Sequence, residues 1–200
     1  LGSPRGVAGA RASPVVLGRS AVPSFAGADV IEGGVRPSPR LADGAEDDAF
    51  DAMELELRLV PAAPGTREPL VVTGVPGRAD FLFVEHVGEG RLRLGFEHWG
   101  KAPIFSAPFG LDFAADHRLE VALGSFPSAR RSPGYRPTGQ LEVWLNGARL
   151  WEAAARFFPV SAAEVAVGHN PVGGTACAPA FSGAVLGLKR IRRSRIGPGA

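Results

Sequence analysis

Gln140-Leu141-Glu142-Val143-Trp144-Leu145-Asn146-Gly147-Ala148-Arg149-Leu150-Trp151 sets two alternating runs on either side of an Asn-Gly dipeptide. A two-residue type I′ turn needs positive φ at both central positions, and Asn-Gly tolerates that best, so the stretch predicts a β-hairpin. A two-residue turn sets Leu145 opposite Ala148, Trp144 opposite Arg149, Val143 opposite Leu150 and Glu142 opposite Trp151. Leu141, Val143, Leu145 and Leu150 then share a core face. Glu142, Trp144, Arg149 and Trp151 share the other.

Similar short runs lie on both sides of the hairpin. Met53, Leu55, Leu57 and Leu59 alternate with Glu54, Glu56 and Arg58, the pattern of a half-buried strand. Pro61-Ala62-Ala63-Pro64-Gly65 breaks that run, and Pro69–Thr73 begins another. Phe81–Val84 and Arg91–Phe96 form a hairpin around Gly88-Glu89-Gly90, and Arg118–Leu123, Glu164–Gly168 and a last strand ending near Ile191 complete the series. Ser125–Gly139 is a long loop carrying Arg130, Arg131 and Tyr135, and Trp151–Phe158 has room for a single helical turn. Many short strands punctuated by Gly and Pro, with no long helical pattern, indicate an all-β sandwich or barrel. Residues 1–47, rich in Gly, Ala, Pro, Ser and Arg, read as an extension. Val15-Val16-Leu17 and Ala28-Asp29-Val30-Ile31 are short enough there to serve as edge strands. The folded domain is expected over 48–193, with 194–200 as a tail.

Composition narrows the classes. With 45% hydrophobic residues the chain can bury a core without staples. Cys177 is its one cysteine, which excludes an intramolecular disulfide and a cysteine-rich zinc site. Net charge is +2, and only Lys101 and Lys189 among the 22 basic residues are lysine. Arginine excess beside abundant Ala, Gly and Pro reflects coding bias rather than phosphate binding. Lys189–Arg195 lacks interleaved aromatics and reads as a solvated end, so no nucleic acid is expected. No apolar run reaches the ~18 residues of a membrane helix. The chain opens on Leu1 with no charged segment followed by an apolar one, so a fragment of a longer product is expected.

Four segments carry a family resemblance. They are His117-Arg118-Leu119-Glu120-Val121-Ala122-Leu123, then Leu141–Gly147, then Val165-Ala166-Val167-Gly168-His169-Asn170-Pro171-Val172-Gly173-Gly174, and finally Phe181-Ser182-Gly183-Ala184-Val185. In this order they resemble the concanavalin A-like lectin/glucanase superfamily in its laminin G-like branch, over about residues 50–192. The resemblance implies a two-sheet antiparallel jelly-roll sandwich. It also implies roles that range from sugar binding through protein binding to glycoside hydrolysis, among which fold does not choose.

Individual residues narrow the choice. Trp144 and Trp151 beside Glu142 and Arg149 form a surface able to stack on a sugar ring and hydrogen-bond its hydroxyls; cross-strand packing, with Arg149 over Trp144, is the plainer reading. Glu97 and Trp99 in Phe96-Glu97-His98-Trp99-Gly100 point the same way at a strand end, and with His169 and Asn170 they make a second, rim group. Glu54 and Glu56 project from one face about 7 Å apart. Related laminarinase-type hydrolases carry a third acid two residues on, where this chain has Arg58, so no catalytic residue is expected. Calcium, which laminin G-like domains often hold, takes about six to eight oxygens. Asp112, Asp116 and Asn170 fall short of that, and no cofactor or metal is expected. The expectation is therefore a non-catalytic binding module for carbohydrate or a cell-surface protein, in an envelope or extracellular setting. A structural or protein-interaction domain is the alternative.

Overall fold

The computed structural model describes residues 49–127, 138–174 and 176–192. The extension with its two short apolar runs, the centre of the long loop with Arg130, Arg131 and Tyr135, and the tail from residue 193 lie outside these. The chain is all-β, as its alternation predicts, and forms an antiparallel jelly-roll sandwich of two sheets. In chain order the strands are β1 (Ala52–Arg58), β2 (Arg67–Val75), β3 (Arg78–Gly88), β4 (Arg91–His98), β5 (Ile104–Phe105), β6 (Phe109–Gly110), β7 (His117–Ala122), β8 (Thr138–Leu145), β9 (Ala148–Arg156), β10 (Val165–Val167) and β11 (Ala184–Ile191). One 3₁₀ turn, Ala162–Glu164, precedes β10.

The first sheet runs β11-β1-β7-β8-β9 and the second β10-β2-β3-β4-β5, with β6 also paired to β4. Met53, Val121, Val143 and Trp151 stand in one cross-strand row of the first sheet, and Leu55, Leu119 and Leu145 in the next. Facing them from the second sheet are Val71, Leu82 and Phe96. These residues close the main core. A cavity of about 20 Å³ remains between the sheets, lined by leucines with Val84, Phe109 and His117, too small for an organic ligand.

The hairpin forms as the sequence predicts, with Asn146 at φ 51° and Gly147 at φ 83°. Asn146 also ties the turn to β7. Its Oδ1 accepts from the Arg118 N–H at 2.9 Å and its own N–H donates to the Arg118 carbonyl at 2.8 Å. Its Nδ2 donates to His117 Nδ1 at 3.1 Å, and His117 Nε2 donates to the Asp112 carbonyl at 2.8 Å. His117 is thus a buried, hydrogen-bonded link between loops.

One register differs from expectation. The β8–β9 ladder slips between Val143 and Trp144, so that Trp151, not Leu150, opposes Val143 and Glu152 opposes Glu142. A β-bulge adds one residue to a strand and reverses the facing of everything beyond it. Trp151 therefore turns inward and packs against the main core. The segment from Trp151 also stays extended to Arg156 instead of making a helical turn.

The basic stretch at the end of β11 is partly anchored. Arg190 lies over the Phe50 ring, 5.0 Å from its centroid, and Arg192 Nε donates to the Ala49 carbonyl at 2.9 Å.

Candidate ligand-binding face

β3 carries the unbroken apolar run Phe81–Val84, and both of its faces are covered. Leu82 and Val84 enter the main core, whereas Phe81 and Phe83 point to the outer side of the second sheet. There they join Val72, Ala79 and Ala166 under the segment that follows β10, which lays Val172, Ala176 and Cys177 across them. This cover is pinned by the Ala178 N–H on the Arg67 carbonyl at 2.8 Å and by a bridge between His169 and Ala180. It spans only part of the sheet.

Three cross-strand rows run across the outer face. Ala166, Val72, Phe81 and Glu97 form the first. Phe83, Gly95 and Phe105 form the second, and Arg67, Glu85 and Arg93 the third. Beyond the first row Trp99, half-buried, stacks on Phe81 at 5.9 Å between centroids and 28° between planes. Gly95 makes room for the rings: a methyl group there would run into the Phe83 ring and meet Phe105 Cε1 at 3.0 Å. Gly95→Ala is therefore expected to destabilise the fold by ~1–3 kcal/mol, the usual cost of overpacking, measured as a loss in chemical denaturation.

The charges on this face are organised around a buried carboxylate. Glu85, with its side chain 8% exposed, accepts from Arg67 Nε at 2.9 Å and from Arg93 Nη2 at 2.8 Å. The two guanidiniums are about one-third exposed. Arg93 lies 3.8 Å from the Phe105 centroid, and Arg67 lies 5.4 Å from those of both Phe83 and Phe105. Burial raises the Glu97 carboxyl above its ordinary pKa, partly offset by the charge of Arg67. The Cys177 thiol is pushed up to about 12, by burial first and then by Glu97, so it is an inert floor rather than a nucleophile.

The second predicted group is thus half assembled by the fold. Glu97 and Trp99 stand side by side on the outer face, as alternation requires. His169 and Asn170 instead shape the covering segment: His169 Nδ1 donates to the Val167 carbonyl at 3.1 Å, and Asn170 Nδ2 to that of Gly173 at 3.0 Å. That segment reaches the site through Gly174, which lies against the Trp99 ring.

The bulge separates the first predicted group. Glu142, Trp144 and Arg149 lie on the outer face of the first sheet, while Trp151 is on the core side. Arg149 donates to Glu152 Oε2 at 2.6 Å. On β1, Glu54 is 3.7 Å from Arg118, and Arg58 holds Asp116 through two hydrogen bonds of 2.6 and 2.9 Å. Asp112 Oδ1 accepts from the Ala114 N–H at 2.9 Å, and Asn170 Oδ1 accepts from the Val172 N–H at 3.3 Å. Of the oxygen donors considered for calcium, Asp116 is thus held by Arg58 of β1, and Asp112 and Asn170 accept from N–H groups of their own loops; no three His, Cys, Asp or Glu side chains cluster as metal ligands among the described residues.

At the sheet end beside Trp99, Asp80 is fully buried. Its Oδ1 accepts from His98 Nδ1 at 2.7 Å and its Oδ2 from the Phe158 N–H at 2.9 Å. His98 in turn stacks on the Phe158 ring at 4.1 Å. Burial raises the Asp80 pKa to about 6 against the pull of both hydrogen bonds. The pair joins β3, β4 and the segment after β9.

No protein-family model and no curated protein matches the chain. Among solved structures it is similar to the Ruminococcus gnavus IT-sialidase CBM40 bound to alpha2,3 sialyllactose, at 12% identity over 73% of this chain and 78% of that one, with a TM-score of 0.46. It is similarly related to Ruminococcus gnavus IT-sialidase CBM40 in a second structure, at 12% identity over 71% and 75%, with a TM-score of 0.45.

Proposed function

We propose that this protein is a non-catalytic module that binds carbohydrate on the outer face of its second sheet. One observation carries the reading: Trp99, held against Phe81, stands half-exposed beside Glu97 on a face that also carries Arg67, Arg93 and Phe105. An indole offers a flat apolar surface to the C–H side of a sugar ring. Carboxylate and guanidinium groups serve its hydroxyls, and few such polar groups suffice for orientation. The setting that goes with this reading is the cell surface or envelope, where glycans are exposed. No helix among the described residues is long and apolar enough to cross a membrane.

The test isolates Trp99. In a Trp144→Phe, Trp151→Phe background it is the sole indole, and its fluorescence is titrated with a panel of soluble glycans. A saturable shift with one glycan is expected. Calorimetry should then show Trp99→Ala weakening binding ~30-fold or more, the scale of a buried aromatic anchor. If Trp144→Ala abolishes binding and Trp99→Ala does not, the ligand face is on the first sheet and the assignment fails. If calorimetry finds no ligand in the panel, the carbohydrate reading fails.

A protein-interaction role is the second reading. The outer face of the first sheet favours it, where Lys189, Glu54, Glu120, Trp144 and Arg149 stand in one cross-strand row of mixed charge around an indole.

A further inference from the structure

We infer, resting on the carbohydrate reading above, that the glycan preferred by this face carries a carboxylate and that Arg67 and Arg93 read it. Both guanidiniums keep donors that Glu85 does not use. Arg67 donates through Nε alone, so both of its terminal nitrogens lack a hydrogen-bond partner among the described residues. Arg93 donates through Nη2 alone; its Nε is buried beneath the face, which leaves Nη1 as the donor it can offer a ligand. Glu85 is shared by both guanidiniums and Glu97 acts on Arg67, so the positive charge least offset on this face is that of Arg93, beside the open fork of Arg67.

Position and stiffness strengthen the point. Phe105 supports both side chains and Phe83 supports Arg67, and Glu85 fixes the orientation of each fork. A planar guanidinium so held can pair with a carboxylate through two parallel N–H···O bonds at little further entropic cost. Glu97 does not cancel the charge at Arg93. The two are four residues apart along β4, about 13 Å at the strand rise and more than a Debye length at physiological salt. The same spacing on β3 separates Phe81, beneath Trp99, from Glu85, between the arginines. The face is thus long enough for an oligosaccharide, with stacking at one end and anion recognition at the other. The plainer account of the row is a cross-strand ion ladder that shields two phenyl rings, and the experiment separates the two.

The probe is a glycan array in which uronic- and sialic-acid-bearing oligosaccharides are printed beside their methyl esters, with sulfated oligosaccharides as a third set. Calorimetry then follows the best acid and its own ester. At least tenfold tighter binding of the acid is expected, with a preference that shrinks as salt is added. In Arg67→Gln or Arg93→Gln, each checked by melting, the acid should lose its advantage, so that the ratio of acid to ester affinity falls to about one. Arg67→Lys should fall between, because it keeps the charge and loses the fork. Equal, Trp99-dependent binding of acid and ester overturns this inference and leaves the carbohydrate reading standing. So does a preference that survives in both glutamine variants, or one for sulfated sugars over carboxylated ones. If no glycan binds through Trp99, the carbohydrate reading fails and the inference falls with it.

Discussion

Phe81→Ala should lower the stability of the domain by ~3–5 kcal/mol, the usual cost of truncating a buried phenylalanine to alanine. Phe81 is 1% exposed and is one of the larger side chains in the second apolar cluster, so few neighbours can move in to fill the space. For a domain of this size the melting temperature should fall by on the order of 10 °C. Trp99 loses the ring on which it stacks, so glycan binding should weaken as well, even at temperatures where the variant is fully folded. Phe126→Ala makes the matched control. Phe126 is equally buried but belongs to the main core, where it packs on Phe50 at 4.9 Å. It should cost comparable stability and leave binding intact. A Phe81→Ala protein within 1 kcal/mol of wild type would show that the outer cluster does not support the sheet.

The second large effect is a pH dependence at Asp80. Its folded-state pKa is raised to about 6 from an ordinary 3.8, with burial as the leading cause. Between those values the folded protein holds a proton that the unfolded chain has released. The contribution of Asp80 to stability is therefore greatest below about pH 4, declines as pH rises to about 6, and is flat above that. At 1.36 kcal/mol per pKa unit the whole change is at most about 3 kcal/mol. Asp80→Asn removes this titration and still presents an oxygen to the Phe158 N–H. Urea denaturation of both proteins isolates the effect, because every other carboxylate is common to the two. The variant should gain on wild type by up to about 3 kcal/mol as pH rises from 4 to 6. A difference that stays constant across that range would mean Asp80 titrates normally.

Much of the fold is legible in local pattern. Met53, Leu55 and Leu57 alternate because one side of β1 faces the core, and Asn146-Gly147 marks its turn by backbone preference alone. The β9 bulge shows where such reading stops. Counting from the turn sends Trp151 outward, yet counting back from Arg156 through Ala154 and Glu152, which are exposed, sends it inward. The conflict is the signature of an extra residue, and Leu150 is where the two counts collide. The proposed ligand face is less legible in the sequence for a different reason. Arg67, Arg93 and Phe105 lie far apart in sequence and meet only because β2, β3, β4 and β5 are neighbours in the sheet. The available clue was Phe81-Leu82-Phe83-Val84, whose unbroken apolar run implies a strand covered on both sides. Glu97 and Trp99 are legible as neighbours because alternation puts them on the same side of one strand end.

The pairing of β1 with β11 has a mechanical consequence. Ala52 opposes Ile191 at the start of one strand and the end of the other, so the chain enters and leaves the sandwich at a single corner. Tension applied through residues 49 and 192 then pulls neighbouring antiparallel strands apart from that corner, one rung after another, instead of loading the ladder all at once. The edge strand β11 peels first, and resistance to stretching is low. The face that holds Trp99 belongs to the other sheet and bears none of that initial strain.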